Sequence, residues 1–122
     1  DPRGAGLAVE HGLAEEGPSQ RQLRVGELIR RALADVLHRG DLHDPDLEGL
    51  SLTVGEVRAS PDLKAATAYV LPLGGAGTEA ALAALRRNAP EIRRLLAREV
   101  ELRHVPALRF EADATFDRLD ES

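Results

Sequence analysis

Hydrophobic positions recur along most of the chain with a clear period. Ser19-Gln20-Arg21-Gln22 has the form of a capping box, with Ser at the N-cap and Gln three residues on. Val25, Leu28, Ile29, Ala32, Leu33, Val36 and Leu37 then follow the i, i+3, i+4, i+7 spacing of a one-sided helix. Gly40 stands where a helix of this kind stops in a left-handed C-terminal turn. An acidic loop follows from Asp41 to Gly49, after which Leu50, Leu52 and Val54 alternate as in a strand. The alternation slips so that Val57 is the next apolar residue, and Gly55 predicts a bulge at the slip. Ser60-Pro61-Asp62 predicts a turn. Ala66, Ala68 and Val70, opposite Thr67, Tyr69 and Leu71, predict a second strand that Pro72 ends.

A glycine-rich loop at 74–77 leads to Thr78, read as the cap of the next helix, over Ala80–Arg87. Pro90 cannot lie inside a helix without losing a hydrogen bond, but it suits the first turn of a new one. The pattern therefore predicts one helix ending near Arg87 and another starting near Pro90, with Asn88 as its cap and Ile92, Leu95 and Leu96 on its apolar face. Leu108, Phe110 and Ala112 predict a third strand. Helix, strand, strand, helix, kink, helix, strand is an α+β order. Its apolar faces are satisfied when three helices pack on one face of a three-stranded mixed sheet.

Residues 1–18 are rich in Gly, Ala and Glu without a period and read as a flexible N-terminal tail; 115–122 reads as an acidic C-terminal tail. This leaves 19–114 as the folded domain. Of the net charge of −5, residues 1–18 hold −3 and residues 111–122 hold −4, so 19–110 is positive by 2. Its cations are all arginine except Lys64, and they cluster at 21–31 and 86–103. Local charge decides what a face attracts, so a chain acidic in total can still present a surface suited to nucleic acid.

Arg86, Arg87, Arg93 and Arg94 flank the kink at Asn88-Ala89-Pro90, where the N–H groups of a helix start and four guanidinium groups suit a phosphate. Arg21, Arg24, Arg30 and Arg31 supply a second strip, unless Arg24 pairs with an acidic residue of the fold instead, and Arg103 lies ahead of the last strand. The competing reading is a solvated helix face with ion pairs such as Glu91 to Arg94 or Arg98. If the kink arginines serve only to contact phosphate, reversing Arg86 and Arg93 leaves stability almost unchanged. The three aromatic residues, Tyr69, Phe110 and Phe116, are too few to stack a run of bases, so contact is expected with phosphate and shape.

Other chemistry is poorly supported. Asp44-Pro45-Asp46 resembles the opening of a calcium loop, but the twelfth position is Gly55 where a bidentate Glu is needed. His38 and His43 beside acids form no spaced metal motif. Gly75-Ala76-Gly77 fits a dinucleotide fingerprint without enough chain after it for the fold that uses one. No nucleophile elbow or oxyanion motif surrounds Ser60. No metal, cofactor or catalytic residue is therefore expected. No apolar run reaches the about 20 residues of a membrane span, and the absence of cysteine fits a reducing compartment such as the cytoplasm.

The order of elements resembles a type II KH domain, without the GxxG loop of RNA-binding KH domains. Several pieces are more specific. Arg24-Val25, Ser60-Pro61-Asp62-Leu63-Lys64-Ala65, Ile92-Arg93, and Leu102-Arg103-His104-Val105-Pro106-Ala107-Leu108-Arg109-Phe110 with Asp113 resemble the KH-related ribosome-binding factor A family over about residues 19–114. Pro90 stands where that family has the glycine of Ala-x-Gly. The resemblance implies a noncatalytic, monomeric, cytoplasmic factor that binds the immature small (30S) ribosomal subunit through its rRNA. It also implies a role in late rRNA processing and in cold adaptation. The alternative is a protein-interaction module that docks a basic ribosomal or other partner protein.

Overall fold

The computed structural model describes residues 17–74 and 76–113; both predicted tails lie almost wholly outside them. The elements are α1 (Gln20–Arg39), β1 (Leu52–Ala59), β2 (Ala65–Pro72), α2 (Thr78–Arg87), α3 (Ala89–Glu99) and β3 (Ala107–Ala112). The sheet runs β1-β2-β3, with β1 antiparallel to β2 and β3 parallel to β2, and it is mixed as expected.

Local chemistry sets most boundaries. The Ser19 hydroxyl accepts from Gln22 N at 3.1 Å and Gln22 Oε1 accepts from Ser19 N at 2.9 Å, a complete capping box. Gly40, at φ 74°, closes α1 in the left-handed region, and its N–H donates to Val36 O. The register between β1 and β2 slips between Val54 and Glu56, so Gly55 is the bulge. The slip returns Val57 and Ala59 to the core face beside Val54, and β2 alternates strictly, burying Ala66, Ala68, Val70 and Pro72.

Two expected caps are not formed. α2 begins at Thr78 itself, with Gly77 at φ 80° as its N-cap, so no side chain caps this helix. Asn88 is shared: it is the C-cap of α2 and the N-cap of α3, at φ −99° and ψ 10°. A side-chain N-cap needs extended backbone, which a residue also finishing the preceding helix cannot adopt. Pro90 lies in the first turn of α3, as predicted.

Ile29, Leu33, Val36, Leu85, Ile92, Leu96, Val70 and Phe110 are almost completely inaccessible and form the centre of one core between helices and sheet. Phe110 is the single aromatic in it. α1 packs on β1 and touches α3, while α2 and α3 lie against β3. α1 comes unusually close to β1: a Cβ added to buried Gly26 would lie 2.3 Å from Val57 O. The Gln22 side chain crosses the same contact and donates to Ala59 O at 2.9 Å.

Candidate nucleic-acid interface

The kink arginines do not converge on one point. The Arg87 guanidinium turns to the acidic loop, donating to both oxygens of Asp44 at 2.7–3.2 Å and to Asp46 at 3.2 Å. Asp44 is the one buried charged side chain among the described residues. It also accepts from Asn88 Nδ2 at 2.8 Å and from Asp46 N at 3.0 Å. The Arg87 guanidinium, then the Asp46 N–H and the Asn88 amide, hold its carboxyl below the usual carboxylate range. Asn88 Nδ2 also donates to Ala84 O at 2.8 Å, so this side chain closes the end of α2. Arg87 and Asn88 therefore work as a latch that fixes the break to the loop. With two carboxylates against it, Arg87 adds no net positive charge there.

Arg86 donates through Nε and Nη2 to Phe110 O at 3.2 and 2.8 Å and stands 3.6 Å from Glu111. The N–H groups of Ala107 and Asp113 bond Lys64 O and Val70 O of the β2 segment. Phe110, three residues from each and out of step with both, therefore directs its own carbonyl to the free edge of the sheet, where Arg86 meets it. Arg93 donates to Val105 O at 2.8 Å. Arg94 pairs with Glu91 one turn away, as the solvated-face reading has it. The expectation that Arg86 and Arg93 can be reversed without loss of stability is corrected on these contacts, since both tie helices to the β3 segment.

A different grouping does present charge. The N-terminal turns of α1, the β1–β2 turn, α3 and the α3–β3 connection enclose a groove of about 590 Å³. Arg21, Lys64, Arg93, Arg103 and His104 stand exposed along it, over the buried or half-buried Val25, Leu63, Leu102, Val105 and Pro106. Pro90 and Arg94 lie on a shallow depression beside it that shares Arg93, Arg103 and His104. Arg21, Lys64, Arg93 and Arg103 form no ion pair with any described residue; Arg93 bonds only a neutral carbonyl. Asp62 is the one acid in the groove. The Lys64 N–H and the Ser60 hydroxyl, bonding its Oδ1 at 3.0 and 2.7 Å, lower its pKa.

Ala89 is half-buried against the core. Arg24 and Arg31 fall elsewhere, in a depression of α1 and the end of α3 that also holds Asp35, Glu99 and Glu101. Arg31 pairs with Glu27 at 3.0 Å. That depression is mixed in charge and does not extend the basic strip.

The turn carrying Lys64 is firmly pinned. Ser60 N donates to Ala65 O, Ala65 N to Ser60 Oγ, and Leu63 N to Ser60 O, at 2.8–3.1 Å. The turn forces Leu63 to φ 62°, the single non-glycine residue with positive φ among those described. A leucine in this region costs roughly 1–2 kcal/mol. Leu63, Lys64 and Asp44 are the residues that sequence patterning overlooks. The Ser60–Ala65 run is visible as a turn, but nothing local places Lys64 beside Arg103.

The family model for ribosome-binding factor A matches residues 21–122. The chain belongs to the ribosome-binding factor A family. It is 67% identical over 106 residues to ribosome-binding factor A of Dinoroseobacter shibae, an alignment spanning 87% of this chain and 78% of that protein. The counterpart from Paracoccus denitrificans is 69% identical over the same length, with 87% and 77% covered. The crystal structure of ribosome-binding factor A from Thermus thermophilus superposes with a TM-score of 0.65 at 33% identity, covering 77% of this chain and 97% of that one. A Thermus thermophilus ribosome-binding factor A model fitted into a cryo-EM map of a complex with 30S gives a TM-score of 0.57 at 36% identity, covering 70% and 88%. Thus the mixed sheet and paired helices are the family's architecture, and the basic groove is built on it.

Proposed function

We propose that this member of the family is a noncatalytic assembly factor. It binds the rRNA of the immature small ribosomal subunit, acts as a cytoplasmic monomer, and assists late rRNA processing, including in the cold. The observation that supports this reading best is the groove at the α1 N-terminus, where Arg21, Lys64, Arg93 and Arg103 stand together with Asp62 as the one acid and no salt bridge among the described residues. Phosphates entering it displace counterions, so affinity falls steeply with salt. The site expected at the kink is thereby redrawn: Arg93, Arg21 and Arg103 remain in it, Lys64 joins, Arg94 lies beside it paired with Glu91, and Arg87 and Asn88 hold the scaffold. The alternative, docking of a basic protein, rests on the acidic tails, which lie almost wholly outside the described residues; among the described acids, Asp41, Asp44 and Asp46 already hold Arg39 and Arg87.

The test is sedimentation of a cell extract through a gradient. The protein should travel with free small subunits and be scarce on full ribosomes. Its absence from the small-subunit fraction would defeat the proposal.

A further inference from the structure

Leu63 holds a strained backbone conformation that glycine or asparagine would adopt with little penalty. Its side chain is half-buried and faces the basic groove beside Leu102, Val105 and Pro106. A surface that met only phosphates would need cations and no apolar floor. Here the floor is apolar, the rim is guanidinium and ammonium, and the volume of about 590 Å³ falls within the range of about 300–1,000 Å³ that accommodates small-molecule ligands. Bases leave their stacks in loops and bulges of RNA and are then held on flat or apolar protein groups. No Phe, Tyr or Trp lines this groove, so an aliphatic floor, with the His104 imidazole and an arginine plane at its rim, takes that part.

Building on the groove as an RNA interface, we propose that it receives one unstacked nucleotide. The base lies on Leu63 and Leu102, and its phosphate lies among Lys64, Arg93 and Arg103. The Ser60 hydroxyl, donating to Asp62 Oδ1 and accepting from Ala65 N, holds the turn so that Leu63 stays under the base. Leu63 is thus a specificity-determining residue for unpaired over paired RNA.

Fluorescence polarisation with two RNA hairpins, identical except for one bulged nucleotide, tests this. The wild-type protein should bind the bulged hairpin about tenfold more tightly, the ratio worth one apolar contact of this size. L63N and L63G relieve the backbone strain, so both should fold with a near-normal melting temperature. They should bind the paired hairpin as the wild type does and lose the preference for the bulge. R103A should weaken binding to both hairpins. Equal wild-type affinity for the two hairpins would overturn the inference and leave RNA binding standing. Failure to bind either would overturn both, and a preference for the bulge retained in L63N and L63G would remove Leu63 from the role.

Discussion

Gly26 sits where α1 presses hardest on the sheet, and a single methyl group there is a sharp test of the packing. In an isolated helix Gly→Ala stabilises by about 1 kcal/mol, so propensity alone predicts a gain for Gly26→Ala. The structure predicts the opposite. The new Cβ would stand 2.3 Å from Val57 O and 3.4 Å from Val57 C, where ordinary contact begins at 3.4 Å. Relief requires about 1 Å of movement. The obstacle is a strand carbonyl, which cannot rotate away as a side chain would, so α1 as a whole must lift. Overpacking of this kind costs about 1–3 kcal/mol; a clash with backbone falls in the upper part of that range, about 2–3 kcal/mol, and subtracting the propensity gain of about 1 kcal/mol leaves a net loss of about 1–2 kcal/mol. For a folded unit of this size that lowers Tm by about 5–15 °C. Thermal and urea unfolding followed by circular dichroism measure it directly. Lifting α1 also stretches the bond from Gln22 to Ala59 O and displaces Arg21 from the groove, so RNA affinity should fall with stability. An unchanged or raised Tm for G26A would refute the reasoning.

Other outcomes follow from the charge arrangement. The double reversal R21E/R103E should weaken small-subunit RNA binding at least tenfold and reduce the salt slope by about one per lost phosphate contact, with Tm almost unchanged, because both side chains are exposed and unpaired; filter binding across a salt series reads this. R86A should lower Tm by a few degrees, about 0.5–1.5 kcal/mol, because Phe110 O loses its donor, and calorimetry checks it. The carboxyls of Glu27, Asp44, Asp62 and Glu91 are all lowered in the folded state, Glu27 from 4.5 to about 2 by its hydrogen bonds to Arg30 and Arg31. Groups lowered in this way stabilise the fold above their ordinary pKa and lose that contribution as pH falls through the folded value. Stability should therefore hold steady above about pH 5 and decline from about pH 4.5 towards 2. D44N should lower Tm at neutral pH and make the acid decline shallower, which melting curves between pH 2 and 7 would show.

What the sequence discloses and what it hides divide by distance along the chain. The capping box at Ser19, the stop at Gly40, the bulge at Gly55 and the turn at Ser60 each depend on residues within six of one another, and all are found. The break at Asn88 is also found, because Pro90 forbids a continuous helix. The role of Asn88 is not the one its neighbours suggest: its amide is drawn to Asp44, 44 residues away, and no local pattern carries that. The same holds for Arg87, whose partner reads in the sequence only as part of an acidic loop. Counting arginines on a helix shows charge but not whether each guanidinium will find a carboxylate, a carbonyl or solvent. The groove takes its cations from three separate stretches, and only the tertiary fold brings Arg21, Lys64 and Arg103 to one side.

Arg86 has a consequence for the company this protein keeps. β3 is an outer strand of the sheet, and its outward-facing main chain could otherwise be copied by any extended peptide nearby. A guanidinium on the Phe110 carbonyl puts a bulky cation at the middle of that row, so a visiting strand would have to expel it before zipping on. The outer edge of β3 is thus shielded from edge-to-edge pairing by a side chain that also ties α2 to the sheet.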